Sequence, residues 1–533
     1  MTHRRNTWSL LCLAPSLLLA DTYPRQSGIE ATHYVFRVTL GDQGDDLSGE
    51  ASVSLRLRES GLREAWLDLV CASGGKGMTV AAVTRDGTPV AFTHSANRLH
   101  LPLPAAARAG QSFTFNIQYR GIPANGLRML KNKHGERVFF SENWPDHARD
   151  WLPVVDHISS RSSGEFIVTA PAHYQVVANG QLIETTDLQG GLRRTHWTQT
   201  VPLPTWLFNV GVARFSVRQV GKAGQVPLES WVFPQEQFLH AGFAAAARKA
   251  LEFFAGRIAP YPYVRLASVE STGFEGAMEV ATSIFYGENS VDGRGMPLGD
   301  LVAHEIAHQW FGNTVTESDW DDVWLSEGFA TYLQLLFTEH DQGQDAFVKG
   351  LERNRNVVLD TEKKLPDTPV IHRNISDLQN VLNPLVYEKA GWVLHMLRRQ
   401  VGTELFWDGL RSYYRRYQGK VTTTQDFQKV MEEVSGQDLA WFFSQWLTRP
   451  GVPRIAGSWT WEPNLKRVIV DLTQEQPGEP YRLKLDLGLG TTVQTVELAT
   501  KTLRAEFPME AEPAAVTLDP LIWTLMDGSL KRR

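Results

Sequence analysis

The stretch that decides the fold is residues 298–312, Leu-Gly-Asp-Leu-Val-Ala-His-Glu-Ile-Ala-His-Gln-Trp-Phe-Gly. Its pattern predicts a helix, and on a helix the positions i and i+4 lie on the same face. The imidazoles of His304 and His308 can therefore bind one metal ion. Glu305 projects from the edge of that face, where it can act as a general base toward a water on the metal. The stretch predicts a zinc-dependent hydrolase.

A solvated polar stripe is the alternative interpretation of the same residues. The flanking residues are too apolar for a helix that is exposed to solvent on all sides; they are Leu301, Val302, Ile306, Ala307, Trp310 and Phe311. A buried histidine pair beside a carboxylate is unfavourable without a partner for its polar groups. A bound metal ion removes that penalty.

Catalytic zinc usually takes three protein ligands and leaves one position for water. Glu327 is the candidate third ligand, because it lies 19 residues after His308, near the start of the next predicted helix. That helix is predicted over residues 326–339, with Ser326 as its N-cap. A lone glutamate at a helix start can simply offset the helix dipole. Together with the histidine pair, the spacing favours a metal ligand.

Outward from this centre, the chain changes character twice. From about residue 30 to 215, apolar residues alternate with polar ones, as at Val53, Leu55 and Leu57, which predicts strands with one buried face. Helical patterns dominate from about residue 236 to 447, beginning with a helix over 241–255. Alternation returns after residue 453. The boundaries predicted are 21–215, 216–449 and 450–533.

Composition and charge restrict the class of partner. The chain has 533 residues and a formal net charge of −6, so nothing predicts a nucleic-acid partner, which usually needs a clustered basic face. Residues 1–20 have a basic start and an apolar core, which indicates a secretory signal peptide; a frayed apolar terminus is the alternative. No other stretch is apolar and long enough to span a membrane. We expect a secreted or periplasmic protein, and the sequence leaves its oligomeric state open.

The context of the third ligand, Trp324-Leu325-Ser326-Glu327-Gly328-Phe329-Ala330, together with the histidine pair, resembles the gluzincin zinc aminopeptidases of the alanyl aminopeptidase and leukotriene hydrolase type. The resemblance covers residues 30–450. It implies an α+β multidomain fold: an N-terminal β-saddle, a thermolysin-like, mainly helical catalytic domain and a small C-terminal β-sandwich. Larger members continue into a helical domain, for which we expect no room before Arg533.

The resemblance also implies an exopeptidase motif. Gly276-Ala277-Met278-Glu279 matches the motif of the family, with Val280 in place of its asparagine. In the family, the glutamate binds the free α-amino group of the substrate, and the preceding backbone pairs with the extended peptide. A fixed carboxylate near the metal holds the ammonium and sets a one-residue cleavage distance. An ordinary exposed loop carboxylate is the alternative for Glu279.

Two further positions follow from the same resemblance. By its spacing to Arg149, Glu142 matches a second group at the amine site, although a structural loop has a similar pattern. Tyr387 lies about sixty residues after Glu327, in a segment with one inserted alanine, Ala390, relative to the family. It is implied to donate a hydrogen bond to the developing oxyanion. A core tyrosine with a bonded hydroxyl is the alternative.

The activity implied is removal of single residues from peptides with a free N-terminus, with one catalytic Zn²⁺ and with Glu305 as the base. A thermolysin-type endopeptidase is one alternative, against which the amine-anchoring motif argues. A catalytically dead peptide-binding protein is another. Such proteins typically lose a ligand or the base, whereas His304, His308, Glu327 and Glu305 are all present.

Overall fold

The computed structural model describes residues 26–292, 296–372 and 378–533. The predicted signal peptide, residues 1–20, lies outside the described residues. Within them, no helix has the length and apolar character needed to cross a membrane.

The first region is built from fifteen strands. They are β1 (Ile29–Thr39), β2 (Leu47–Leu57), β3 (Glu64–Asp68), β4 (Gly77–Arg85), β5 (Thr88–Pro89), β6 (Thr93–Ser95), β7 (Arg98–Pro102), β8 (Ser112–Ile122), β9 (Leu127–Lys131), β10 (Arg137–Ser141), β11 (Arg161–Pro171), β12 (Gln175–Ala178), β13 (Gln181–Leu188), β14 (Leu192–Pro204) and β15 (Val210–Ala213). The largest sheet has the order β13-β14-β11-β1-β2-β8-β4-β5. On β2, Val53, Leu55 and Leu57 are buried, as the alternation predicts. The β-rich N-terminal region is thus confirmed.

A second, four-stranded sheet of this region leads to the segment that contains Glu142. Its order is β12-β15-β10-β9, and its strand β10 ends at Ser141, directly before Glu142. Antiparallel pairing places Phe140 opposite Arg128 and Ser141 opposite Leu127. Since side chains alternate along a strand, this register brings the start of the 142–149 segment beside β9.

The middle region combines a sheet with helices. Its elements are β16 (Ser216–Ala223), β17 (Val226–Val232), α1 (Leu239–Arg257), β18 (Leu266–Ser271), β19 (Ala277–Met278), β20 (Ser283–Gly287), α2 (Leu298–His308), β21 (Val315–Glu317), α3 (Trp324–Gln342), α4 (Gln344–Lys364), α5 (Ala390–Val401), α6 (Thr403–Tyr417), β22 (Lys420–Thr422), α7 (Thr424–Ser435) and α8 (Ala440–Phe443). The sheet order β16-β17-β18-β20-β19 leaves β19 at one edge. Helix α2 packs between α1 and α3, which fixes the metal-binding helix inside the core.

Three helix boundaries differ from the sequence prediction. Helix α1 runs through Gly256 to Arg257 rather than ending at residue 255. Helix α2 ends at His308, because the N–H of Asn313 donates to the carbonyl of His308 and the chain turns away through Gly312, at a φ of 115°. Helix α3 begins at Trp324, so Ser326 lies inside the helix and is not its N-cap.

The last region is again all strand. It contains β23 (Arg454–Glu462), β24 (Arg467–Gln474), β25 (Leu483–Leu489), β26 (Thr492–Leu498), β27 (Thr502–Pro508), β28 (Val516–Leu518) and β29 (Asp527–Arg532). Two sheets form, β27-β24-β23-β29 and β26-β25-β28, which confirms the predicted C-terminal β region. It is tied to helix α5 by the ring of His395, which bonds the carbonyl of Ile522 at 3.0 Å, and by the ion pair of Arg399 with Asp486. The boundaries predicted at residues 215 and 449 stay predictions.

Candidate active site

One open cleft of about 1110 Å³ brings all ten predicted site residues together. They are Glu142, Gly276, Ala277, Met278, Glu279, His304, Glu305, His308, Glu327 and Tyr387. Five separate parts of the chain contribute these residues: the segment after β10, the edge strand β19 with its flanking residues, helix α2, helix α3, and the segment before α5. The cleft therefore lies where the N-terminal region meets the helical one.

The histidine pair and Glu327 converge on one point. The Nε2 atoms of His304 and His308 lie 3.2 Å apart, and Oε2 of Glu327 lies 3.5 Å and 3.3 Å from them. Two imidazole nitrogens and one carboxylate oxygen form a donor set that suits catalytic zinc. The three side chains are almost fully buried, so their geometry is held by packing.

The charge around these groups also suits a cation. Glu279, Glu305 and His308 form a second group of ligand atoms within 4.8 Å of one another. Burial opposes the charge on His308, yet Glu279 and Glu327 raise the pKa of its imidazole to about 10. Burial likewise opposes the charge on Glu327, and His308 with His304 lowers the pKa of that carboxyl to about 2. Three carboxylates thus face two imidazoles, and a divalent cation would offset the excess negative charge.

Ser326 has a role that the sequence did not reveal. Its Oγ lies 3.0 Å from Nδ1 of His308, and the carbonyl of Phe311 lies 3.3 Å from the same nitrogen. An Nδ1–H that donates to these oxygens leaves Nε2 of His308 free as a ligand and fixes the orientation of the ring. A Cβ on Gly312 would collide with Oγ of Ser326, so glycine is required there.

Glu305 lies in the same cleft without joining the three converging ligand atoms. Its side chain is 5% exposed. Burial raises the pKa of Glu305 well above its usual value, and the carboxylates of Glu279 and Glu327 reinforce this shift while His308 opposes it. A carboxylate with a raised proton affinity at this position can accept a proton from a water molecule and hold it.

Tyr387 lies in a π-helical segment, Leu385–Lys389, which leads into α5. Single π turns inside helices often occur at functional sites. The ring of Tyr387 lies at an angle of 22° to that of His304, with centroids 6.3 Å apart. Burial and the carboxylate of Glu327 raise the pKa of Tyr387 well above its usual value. The phenol therefore keeps its proton at neutral pH and can donate a hydrogen bond.

The motif at residues 276–279 forms an edge strand beside the ligands. Ala277 pairs with Tyr286 and Met278 with Phe285, while the opposite edge of β19 ends the sheet order. Such an edge can pair with an extended peptide. Oε1 of Glu279 lies 4.0 Å from Nδ1 of His308. Its carboxylate thus lies beside the ring of His308, on the side of Nδ1.

Val280 was singled out because it replaces a polar residue of the family. In the structure it is fully buried, and two amide side chains support the loop instead. The amides of Gln309 and Asn313 donate to the carbonyl of Glu279 at 3.0 Å and 2.6 Å. Both lie within five residues of the end of α2, so the loop is connected to the helix that carries His304 and His308. Sequence patterns had given no signal for this pair.

Glu142 has a cationic partner that the sequence did not reveal. The guanidinium of Arg128 forms an ion pair with the carboxylate of Glu142 and also donates to the carbonyl of Gly273. Burial raises the pKa of Glu142, while Arg128 and His147 act in the opposite direction. Arg128 therefore joins the N-terminal region to the loop that precedes Gly276. The strand pairing of β9 with β10 is the only signal that could have found it.

Comparison with known families matches most of the chain to two neighbouring family models. Residues 30–207 match the Peptidase M1 N-terminal domain, and residues 244–446 match the Peptidase family M1 domain. The histidine pair, Glu327, the 276–279 motif and Tyr387 all fall inside the second match.

Curated relatives share about a quarter of the aligned residues. Glutamyl aminopeptidase of Rattus norvegicus is 24% identical over 85% of this chain and 50% of its own length. Leucyl aminopeptidase of Saccharolobus solfataricus is 26% identical over 80% of this chain and 54% of its own length. The chain thus spans about half the length of the curated relatives it matches.

Solved structures match over nearly their whole length. A mutant M1 zinc metallopeptidase of Deinococcus radiodurans aligns with a TM-score of 0.66 at 24% identity, over 80% of this chain and 96% of that one. The same enzyme bound to a Tyr-Ser-Ala substrate aligns with a TM-score of 0.65 at 25% identity, over 79% and 94%. A two-domain M1 zinc metallopeptidase bound to L-arginine aligns with a TM-score of 0.68 at 25% identity, over 80% and 96%.

Proposed function

The chain belongs to peptidase family M1, and on that premise we propose that it is a zinc-dependent aminopeptidase that removes the N-terminal residue of peptides. One observation carries the proposal. A buried carboxylate, that of Glu279, lies 4.0 Å from His308, in the same cleft as the converging atoms of His304, His308 and Glu327. An amine anchor beside a metal site is the arrangement that an exopeptidase needs.

His304, His308 and Glu327 would hold the zinc ion, with Ser326 orienting His308. When bound there, Zn²⁺ polarises the scissile carbonyl and makes a water molecule more acidic. The donor set of two imidazoles and one carboxylate leaves a position for that chemistry.

The remaining residues bind and orient the peptide. Glu279 pairs with the α-ammonium group, and Glu142 approaches the same group while it stays paired with Arg128. The free edge of β19, at Ala277, hydrogen-bonds the substrate backbone, whereas the N–H of the preceding Gly276 already donates to Oγ of Ser290. With the ammonium held at one end, only the first peptide bond reaches the ligands, which restricts cleavage to one residue.

Glu305 and Tyr387 act on the reacting atoms. Glu305 takes a proton from the attacking water while the oxygen of that water bonds to the carbonyl carbon. Tyr387 donates a hydrogen bond to the carbonyl oxygen, where negative charge develops. Glu305 then passes the proton to the leaving nitrogen as the C–N bond breaks. The products are a free amino acid and a peptide that is one residue shorter.

Replacing Tyr387 with phenylalanine should lower kcat by about 10²-fold, because one hydrogen-bond donor to the oxyanion is removed. KM should change by less than about threefold, since the hydroxyl acts on charge that develops only in the transition state. Steady-state kinetics on an alanyl anilide, with zinc content measured in parallel, check this. A rise in KM at unchanged kcat would instead make Tyr387 a ground-state binding residue.

Hydrolysis of a free peptide and of its N-acetylated form, each with and without a zinc chelator, tests the proposed function. We expect chelator-sensitive release of the first residue from the free peptide alone. Cleavage of the acetylated form at a comparable rate would identify an endopeptidase. A zinc-loaded, folded protein that hydrolyses neither peptide would identify a peptide-binding protein.

We also propose that the protein is exported after cleavage of residues 1–20 and that its domains meet near residues 215 and 449. The basic and apolar start of the chain supports the first point. The five-stranded sheet, which begins at Ser216, and the strands that begin at Arg454 support the second. The N-terminal residue of the exported protein tests the export: a chain that still begins at Met1 would contradict it.

A further inference from the structure

The cleft has a strongly asymmetric charge. Six glutamates line it: Glu142, Glu275, Glu279, Glu305, Glu327 and Glu388. Against them, Arg353 on α4 is the only arginine or lysine among the described residues of its lining. The cleft as a whole therefore favours cationic groups, and the surroundings of Arg353 are the one part of this lining where an anionic group of a ligand meets a fixed positive charge.

Arg353 lines the cleft from α4, an element that packs on the Tyr387 side of the cleft. Helix α4 packs against α3 and against the π-helical segment that carries Tyr387 and Glu388. The proposed amine anchor, Glu279, directly follows β19 and lies next to His308, whereas Tyr387 stacks beside His304. A peptide whose α-ammonium group is at Glu279 and whose first peptide bond is at the proposed metal ligands therefore continues toward the side of the cleft that carries Tyr387. The part of the substrate after the scissile bond arrives near α4.

The guanidinium of Arg353 is available for such a contact. The residue is exposed, and no ion pair or hydrogen bond of the described residues involves it. Its positive charge acts on Glu388. Burial raises the pKa of the Glu388 carboxyl to about 7, and the charge of Arg353 opposes that rise. Guanidinium groups bind carboxylates through two parallel hydrogen bonds.

We propose that Arg353 binds a carboxylate of the substrate on the leaving-group side of the scissile bond, so that the enzyme favours short peptides whose α-carboxylate lies there. This inference rests on the proposed aminopeptidase function. An extended chain advances roughly 3.3 Å per residue, which puts the α-carboxylate of a tripeptide about two residues beyond the scissile carbonyl. An acidic side chain at the same distance presents the same group, so the test separates the two sources.

The test compares trialanine, trialanine amide and an amidated tripeptide with aspartate at its third residue, on wild type, Arg353→Gln and Arg353→Lys. We expect wild type to prefer the free acid over the amide by about tenfold in kcat/KM, mainly through KM, as for one charge-assisted contact in an open cleft. Arg353→Gln should bring that ratio close to one, and Arg353→Lys should restore part of it. Preference for the aspartyl amide over trialanine amide would show that side-chain carboxylates are bound too.

Arg355→Gln is the matched control, because residue 355 is two positions further along α4 and does not line the cleft. It should keep the wild-type ratio. Equal losses on acid and amide in Arg353→Gln would overturn the inference and assign Arg353 to balancing Glu388. Calorimetric binding of acid and amide to a Glu305→Gln background gives the same ratio without turnover. Hydrolysis of an alanyl anilide by wild type reports the proposed function separately.

Discussion

Replacing Glu305 with glutamine is expected to lower kcat by about 10³-fold while zinc stays bound at one ion per chain. Glutamine keeps the size of the side chain but cannot accept and return a proton. The proposed metal ligands are His304, His308 and Glu327, so the substitution leaves that ligand set intact. Kinetics on an alanyl anilide and metal analysis of the same preparation provide the two measurements.

The matched control for this variant is Glu275→Gln. Glu275 lines the same cleft but is exposed, and the mechanism gives it no proton to transfer. The kcat of the Glu275→Gln variant should stay within about threefold of wild type, as for an ordinary surface substitution. Wild-type turnover in Glu305→Gln would rule out the base assignment. Loss of zinc from that variant would show that Glu305 supports the ligands, and the kinetic result could not then be assigned to proton transfer.

Replacing Glu279 with glutamine is expected to lower kcat/KM for free peptides by about 10²-fold, because the α-ammonium group loses its buried charged partner. The glutamine side chain preserves the packing of a position that is 7% exposed. Gln309 and Asn313 hold the backbone carbonyl of residue 279, so the loop should keep its place. Kinetics on a free peptide and on its N-acetylated form provide the measurement.

The discriminating quantity is the ratio of the two rates. In wild type, acetylation removes the charge that Glu279 binds, and the acetylated peptide should be hydrolysed at least about 10²-fold more slowly. In Glu279→Gln the two rates should converge. An unchanged preference for the free amine would show that Glu142 anchors the ammonium alone. Glu275→Gln again controls for a general loss of negative charge in the cleft.

The sequence alone predicted the histidine pair of the proposed metal centre, because the pair is local. His304 and His308 are one helical turn apart, and any straight helix places them together. The spacing to His308 also predicted Glu327 as the third ligand, whereas Tyr387, Glu279 and Glu142 were predicted only through the resemblance to a family, since nothing in their own neighbourhoods marks them as functional. Alternation likewise predicted the β regions on both sides of the catalytic helices, because period two is a property of each strand by itself.

Helix ends were less predictable, for a physical reason visible at two positions. Helix α2 stops at His308 because Asn313 and Gly312 redirect its last carbonyl, and that hydrogen bond depends on the turn beyond it. Ser326 has the side chain of an N-cap, but Oγ bonds Nδ1 of His308, and α3 begins two residues earlier. Helix propensity describes the preference of a residue for a backbone conformation, and it does not include hydrogen bonds to side chains on another helix.

Only the tertiary structure decided which groups surround the predicted residues. Arg128 meets Glu142 through the pairing of β9 with β10, and Arg353 reaches the cleft because α4 packs on the Tyr387 segment. The sequence determined which side chains are available for the proposed reaction, since metal ligation and proton transfer demand particular side chains at particular spacings. Charge balance, loop support and the far end of the substrate depend on contacts between residues distant in the chain, and these exist only once the core has packed.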